Sequence, residues 1–284
     1  MVAMGVGDAL GAGFEYVDPG IVKKYNTLEM YHSHPRWNIP PGHYTDDTQM
    51  AIALAEFMLS GQPVTTLNLA DAFVRQFKAD PRAGYAGGFY ELLQECADGF
   101  DLLKRIQPHS TKSGGAMRAG VCGLLPSIAA TIDRAMWQAS VTHATHFGMA
   151  AAAASALLVW QCRQGISRED LHDIIERNCS LPGISWRHSW DKPVGASGTE
   201  SVRAALTAIK EHNTLSGVLK ACIAFTGDVD TVAAIAMPAA ALHPGIEQDL
   251  PQHLIDNLEN GEFGLDYLRE LDHRLLTTFA PTES

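Results

Sequence analysis

Apolar residues recur at three- and four-residue intervals along most of the chain, the spacing that gathers them on one face of an α-helix. The pattern predicts helices over Gln49–Leu59, Leu67–Phe77, His143–Cys162, Arg168–Asn178, Ser201–His212, Val229–Leu242 and Leu265–Leu276. Alanine clusters at Ala150–Ala154 and Ala233–Ala241 favour helix and let neighbouring helices approach closely. Alternating β-branched and aromatic runs are nearly absent, so strands should be few. Breaks such as Asp18-Pro19-Gly20, Pro40-Pro41-Gly42 and Leu181-Pro182-Gly183 are short, and only Tyr31–Tyr44 and Cys179–Ala196 read as longer irregular stretches. With no linker and no internal repeat, the pattern predicts one all-α domain over residues 1–284, its core at about 3–275.

Composition narrows the function classes. Of 284 residues 46% are apolar and 19% charged, which excludes a disordered chain. Asp and Glu outnumber Lys and Arg by 32 to 21, a net charge of −11. That balance argues against binding to a nucleic-acid backbone or an anionic membrane. Five scattered cysteines without a Cys-x-x-Cys pair suit a reducing compartment. The first basic residue is Lys23, so no secretory leader is expected, and the apolar stretch Phe147–Trp160 is too short for a membrane span. A soluble cytoplasmic protein is the expectation. No sustained heptad argues for assembly, so it is expected to be a monomer.

The chemistry lies in the placement of a few acids. In Tyr44-Thr45-Asp46-Asp47-Thr48 two carboxylates stand between hydroxyls, directly before the helix at Gln49. In Gly227-Asp228-Val229-Asp230-Thr231 a mirrored set precedes the alanine-rich helix. Thr45 and Asp228 are natural N-caps, with the remaining acids complementing the helix dipole. A helix start needs one cap, however, and each set brings two acids and a threonine hydroxyl. That composition also suits hard oxygen ligation of Mg²⁺ or Mn²⁺. In Gly5-Val-Gly-Asp8-Ala-Leu-Gly11-Ala-Gly13-Phe-Glu15, a helix would put Asp8 and Glu15 on one face. The glycine spacing there is wrong for a dinucleotide fingerprint. The glycines of Ser110-Thr111-Lys112-Ser113-Gly114-Gly115 could present backbone N–H groups to phosphate at the start of a helix over Ala116–Leu125. Arg118 suits either a phosphate or an ion pair inside the fold. His32, His34 and His43 lie in a proline-rich loop, and His143-x-x-His146 lacks the glutamate of a zinc-protease motif, so a histidine zinc site is not expected.

Taken together, these blocks resemble the ADP-ribosylglycohydrolase family. The resemblance rests on Gly-Asp8-Ala-Leu-Gly-Ala-Gly-Phe-Glu15, Tyr-Thr45-Asp46-Asp47-Thr48-Gln-Met and Gly227-Asp228-Val-Asp230-Thr231-Val-Ala-Ala-Ile in family order. Ser113-Gly114-Gly115-Ala-Met117-Arg118 resembles the family's glycine-rich substrate loop, and Thr142-His143 its Thr-His pair before a long helix. The resemblance implies an all-helical fold with two Mg²⁺ or Mn²⁺ ions in a cleft. By motif position Thr45, Asp46, Asp47, Asp228, Asp230 and Thr231 would be the ligands. Glu15 would be a mobile carboxylate beside the metals and, with Asp47, would carry catalysis. Ser110, Thr111, Ser113, Gly114, Gly115 and His143 would contact the nucleotide.

The implied reaction is hydrolysis of the bond between ribose C1″ of ADP-ribose and an acceptor side chain such as arginine or serine. A small conjugate such as O-acetyl-ADP-ribose is an alternative substrate, and a non-catalytic, crystallin-like relative is the other alternative. Two features depart from the family pattern: Lys112-Ser113 stands where Gly-Asn is common, and Val229 lies between the ligands of the last block. Two divalent ions would turn −11 into −7 and make an anionic substrate compatible with an acidic protein.

Overall fold

The computed structural model describes residues 1–280. Helices occupy most of them, and among these residues β-structure is limited to isolated bridges. The first six helices are α1 (Val2–Ala12), α2 (Pro19–Tyr25), α3 (Asp46–Leu59), α4 (Thr66–Ala79), α5 (Gly87–Glu95) and α6 (Gly99–Arg105). A four-residue turn of helix, α7 (Gly114–Met117), runs into a 3₁₀ segment, Ala119–Leu124. There follow α8 (Ile128–His143), α9 (His146–Arg163), α10 (Leu171–Asn178), α11 (Gly198–Glu211) and α12 (Leu215–Ala224). The last three are α13 (Val229–Ala241), α14 (Gln252–Asp256) and α15 (Leu265–Thr278).

The alanine-rich helices α9 and α13 form the centre. Nearly every residue of α13 is buried, and α1, α11 and α12 pack against it while α8 and α11 pack against α9. Small side chains make this possible by letting backbones approach. At Gly11 of α1 a Cβ would lie 2.4 Å from Asp230 Cα, so only glycine allows α1 to reach the start of α13. The amino terminus pairs with Asp272, and Val2 N–H donates to its Oδ2 at 3.0 Å, tying α1 to α15.

Six expected helices match α3, α4, α10, α11, α13 and α15 within a few residues. Three expectations change. The helix expected over His143–Cys162 is α9, which opens at His146 because Thr145 caps it by accepting from Gly148 N–H at 3.0 Å. His143 therefore ends α8 instead of opening α9. The helix expected over Ala116–Leu125 is the short α7 plus the 3₁₀ segment packed on α9. Finally, α1 stops at Ala12, so Glu15 is not on its face with Asp8 but in the turn beyond, where Tyr16 takes the left-handed conformation at φ 51°. The irregular stretches at 31–44 and 179–196 are present. No helix among the described residues is long and apolar enough to cross a membrane.

Candidate active site

The first half of the site is built by α1 and α3. Thr45 caps α3, its Oγ1 accepting from Asp47 N–H at 3.3 Å. The same hydroxyl donates to Asp8 Oδ1 at 2.9 Å, and Thr45 N–H donates to that oxygen at 3.0 Å. Thr48 donates to Asp8 Oδ2 from its N–H at 2.9 Å and its hydroxyl at 2.7 Å. One fully buried carboxylate thus accepts four hydrogen bonds and fixes the start of α3. Burial pushes Asp8 up to about 6, against the pull of those four donors. Just ahead, Tyr44 is held by Arg82, whose guanidinium lies 3.6 Å from its ring centroid, and by Glu259, which accepts from Tyr44 N–H at 3.1 Å. The result is that Asp46 and Asp47 leave the first turn of α3 into a cleft. Burial holds both well above the usual carboxylate range, and neighbouring carboxylates push them further. Asp47 Oδ1 is buried and has no hydrogen-bond partner among the described residues.

The second half comes from the start of α13. Thr226 and Gly227 both adopt left-handed conformations, at φ 65° and 91°. Their turn is pinned by Val194, whose N–H donates to Thr226 O at 2.9 Å and whose carbonyl accepts from Asp228 N–H at 3.0 Å. A β-branched residue at positive φ is uncommon and costs on the order of 1–3 kcal/mol. Here it turns Asp228 toward the cleft. Asp228 stands at the N-cap position but takes no capping hydrogen bond; its Oδ2 instead accepts from Ser113 Oγ at 3.2 Å. The capping reading thus holds for Thr45 and fails for Asp228.

Asp230 and Thr231 follow in the first turn of α13 and line the same cleft. Glu15 arrives from the turn after α1, tied to this strand of chain by Tyr16 N–H donating to Gly227 O at 2.8 Å. Carboxylate oxygens of Glu15, Asp228 and Asp230 lie within 4.8 Å of one another. Burial and then Glu15 push Asp228 up to about 6, and the same two causes hold Asp230 well above the usual range.

The facing wall is the 110–118 loop with the end of α8. The cleft has a volume of about 540 Å³, and Ser110, Lys112, Ser113, Gly114 and His143 line it. The His143 ring lies flat on the loop: a Cβ on Gly114 or Gly115 would meet it at 3.1–3.2 Å. Arg118 donates to Thr142 Oγ1 at 2.7 Å, and that hydroxyl is 2.6 Å from His143 Nδ1. Burial, with the Arg118 charge, pushes His143 down to about 3, so its ring is neutral at physiological pH. Arg118 is buried and donates to Gly114 O, Gln138 Oε1 and Thr142. It makes no ion pair with a carboxylate among the described residues, so the expectation of an internal ion pair gives way to neutral acceptors that fix the loop.

Comparisons with known proteins place the chain in a family. The ADP-ribosylglycohydrolase family model matches residues 1–284. The chain belongs to the ADP-ribosylglycohydrolase family. It is 27% identical to ADP-ribosylhydrolase ARH3 of Gallus gallus, covering 87% of this chain and 84% of that protein. It is 22% identical to ADP-ribosyl-[dinitrogen reductase] glycohydrolase of Rhodospirillum rubrum, covering 91% and 88%. ADP-ribosylhydrolase ARH3 of Homo sapiens is 35% identical over 45% of this chain, a match that spans only 38% of the human protein. Among solved structures, the fold matches an ADP-ribosylglycohydrolase-related protein complex with a TM-score of 0.76 at 22% identity, over 99% of this chain and 95% of the other.

Of the residues singled out by this family's motifs, Glu15, Asp46, Asp47, Asp228, Asp230 and Thr231 converge on one cleft, with Ser110, Ser113, Gly114 and His143 opposite. Thr45 sits behind the wall, its hydroxyl on Asp8. Gly115 lies beneath His143, and Thr111 faces a separate cavity with Phe147 and Trp190. The donor set suits a hard divalent cation. It is oxygen-only, its acids repel one another, and Asp47 Oδ1 is a buried acceptor with nothing donating to it.

Sequence reasoning missed three contributors. Asp8 organises α3, although only its proximity to Glu15 on a helix had been considered. The segment Gly84–Phe89 forms a further wall of the cleft. His34 hydrogen-bonds to Glu15 Oε2 at 2.7 Å. The other loop histidines have ordinary partners: His32 packs edge-on to Phe14, and His43 lies 3.2 Å from Glu259.

Proposed function

We propose that the chain is a divalent-cation-dependent hydrolase that cleaves the glycosidic bond between ADP-ribose and an acceptor and releases ADP-ribose. The observation that carries this reading is the convergence of five buried carboxylates, Glu15, Asp46, Asp47, Asp228 and Asp230, on one cleft with a loop-built wall opposite that carries Lys112. The activities for which the relatives are named, ADP-ribosylhydrolase and ADP-ribosyl-[dinitrogen reductase] glycohydrolase, point the same way. Asp46, Asp47, Asp228, Asp230 and Thr231 would hold two Mg²⁺ or Mn²⁺ ions, whereas Thr45, expected as a sixth ligand, has its hydroxyl committed to Asp8 behind the wall. Such ions would neutralise the clustered acids and supply Lewis-acid chemistry at the cleft.

The residues of the chain then divide the work. Glu15 accepts a proton from the water that adds to ribose C1″. As that C–O bond forms, the bond from C1″ to the acceptor nitrogen or oxygen breaks. The acceptor leaves with the electron pair and takes up the proton that Glu15 accepted from the water. Asp47 works beside Glu15 by orienting the reacting groups from the opposite half of the site. Ser110, Ser113, Gly114 and neutral His143 bound the nucleotide side, and Gly114 and Gly115 N–H groups have no acceptor among the described residues. Thr111 supports that loop from behind: its carbonyl accepts from Gly198 N–H at 3.2 Å. Lys112 supplies a cation for the pyrophosphate, since Arg118, the other basic residue of the wall, is committed to the loop. All five cysteines are free and buried, in keeping with a reducing cytoplasmic setting.

A panel of ADP-ribosyl-arginine, ADP-ribosyl-serine and O-acetyl-ADP-ribose, each with Mg²⁺, Mn²⁺ or EDTA, tests the reading. Metal-dependent release of ADP-ribose from at least one conjugate is expected, with none in EDTA. Binding of every conjugate without release would favour the non-catalytic alternative.

A further inference from the structure

We propose that His34 is the positioning residue of Glu15, directing that carboxylate toward the acid cluster through one hydrogen bond. The inference rests on the catalytic role proposed for Glu15. Left alone, Glu15 has reason to leave. It has three rotatable side-chain bonds, it lies in a turn beyond the end of α1, and oxygens of Asp228 and Asp230 stand within 4.8 Å. Like charges at that range drive one another apart. Among the described residues, the hydrogen bond from His34 is the only one made to the Glu15 carboxylate.

The imidazole is clamped at both nitrogens. Backbone N–H groups of Arg36 and Trp37 point at Nδ1 from 3.0 and 3.1 Å. An N–H can only donate, so Nδ1 is the acceptor and the ring proton sits on Nε2. Nε2–H then donates to Glu15 Oε2, leaving Oε1 for the cleft. Both side chains are buried, and the ring stacks on Trp37 with centroids 4.6 Å apart and planes at 26°. Trp37 itself lines the cleft.

The rest of the 31–44 loop keeps this clamp in place. His34 N–H donates to Ile39 O at 3.3 Å, Ile39 N–H to Trp37 O at 2.8 Å, and Tyr31 Oη to Leu254 O at 2.6 Å. An irregular stretch without a periodic pattern is thereby explained as a bracket for one imidazole. A donor of fixed direction keeps Glu15 an acceptor and sets which oxygen meets the water. Orientation of this kind is costly to lose, since a misplacement of about 1 Å can reduce rate about 100-fold.

The test is a double-mutant cycle on kcat and KM for whichever conjugate the enzyme cleaves, with Mn²⁺ affinity measured in parallel. His34→Ala should lower kcat about 10- to 100-fold with KM and Mn²⁺ affinity changed less than about threefold. His34→Gln, whose side-chain amide can donate to Glu15, should recover part of that loss and guards against a folding defect in the alanine variant. Against Glu15→Ala, the His34→Ala substitution should have no further effect on residual turnover. The inference is overturned if His34→Ala keeps wild-type kcat while Glu15→Ala is inactive. It is equally overturned if His34→Ala costs the same factor with or without Glu15. Wild-type kcat in Glu15→Ala would instead remove the catalytic role of Glu15, and this inference with it.

Discussion

The two helix starts that face each other across the cleft carry nearly the same residues and are built in opposite ways. At α3 the buried acid, Asp8, is surrounded by donors: two backbone N–H groups and two hydroxyls converge on it. At α13 the acids Asp228 and Asp230 stand with Glu15 and receive few protein donors, chiefly Ser113 Oγ on Asp228 and Thr231 N–H on Asp230. The bonding of Asp8 is complete without any ligand. The set at α13, together with Asp47 Oδ1, leaves negative charge uncompensated in a buried place. A carboxylate that accepts four bonds organises backbone, whereas carboxylates crowded with few donors are suited to a cation. The difference separates scaffold from chemistry within motifs of similar composition.

The largest effect that would break this comparison lies on the chemical side. Glu15→Ala should abolish ADP-ribose release, by a factor on the order of 10³, while the melting temperature stays near that of the wild type. Steady-state kinetics alongside thermal melts would show it, and a matching loss of stability would mean that Glu15 belongs to the scaffold. Next comes Asp8→Asn, which sets an amide NH₂ against N–H donors. It should cost about 3–5 kcal/mol, a drop of about 10 °C in melting temperature. A variant as stable as the wild type would show that the four bonds to Asp8 do not organise α3.

A pH series sharpens the comparison further. Asp8 and Asp228 are raised to about 6 from the ordinary 3.8, chiefly by burial, so the folded chain keeps protons that the unfolded chain has lost. Stability from these groups is full below about 4 and declines as pH rises through about 6. The metal-free protein should therefore melt lower at pH 8 than at pH 5. Because cations and protons compete for the same oxygens, Mn²⁺ should raise the melting temperature more at pH 8 than at pH 5. An equal shift at both pH values would place the cation elsewhere. The smallest effect is expected from Lys112→Gln: an increase of several-fold in KM, shrinking as salt screens the charge, with kcat unchanged. A change in kcat alone would move Lys112 from binding to chemistry.

Much of this was legible in the chain. Long amphipathic periods marked α4, α11 and α15, because burial of one face dominates such helices. The paired acids at Asp46-Asp47 and Asp228-x-Asp230 stood out because helix capping does not need two of them. What escaped reading depends on contacts between distant segments. Asp8 acts on Thr45 and Thr48 from 37 and 40 residues away. His34 is one of three loop histidines, and only the fold shows which of them meets Glu15. The start of α9 did carry a local signal, since Thr145 is a good N-cap directly ahead of the apolar run from Phe147. The separate facing of Ser110 and Thr111 was invisible for a different reason. Adjacent residues of an extended loop point to opposite sides, and sequence alone does not say which side is the cleft.

Calorimetric titration of Mn²⁺ into chelator-treated protein tests the central contrast most directly. Two bound ions per chain are expected, with at least one site lost in Asp230→Asn and both kept in Lys112→Gln. Failure of the wild-type protein to bind Mn²⁺ or Mg²⁺, or undiminished binding by Asp230→Asn, would contradict the assignment of the donor-poor acids to a cation.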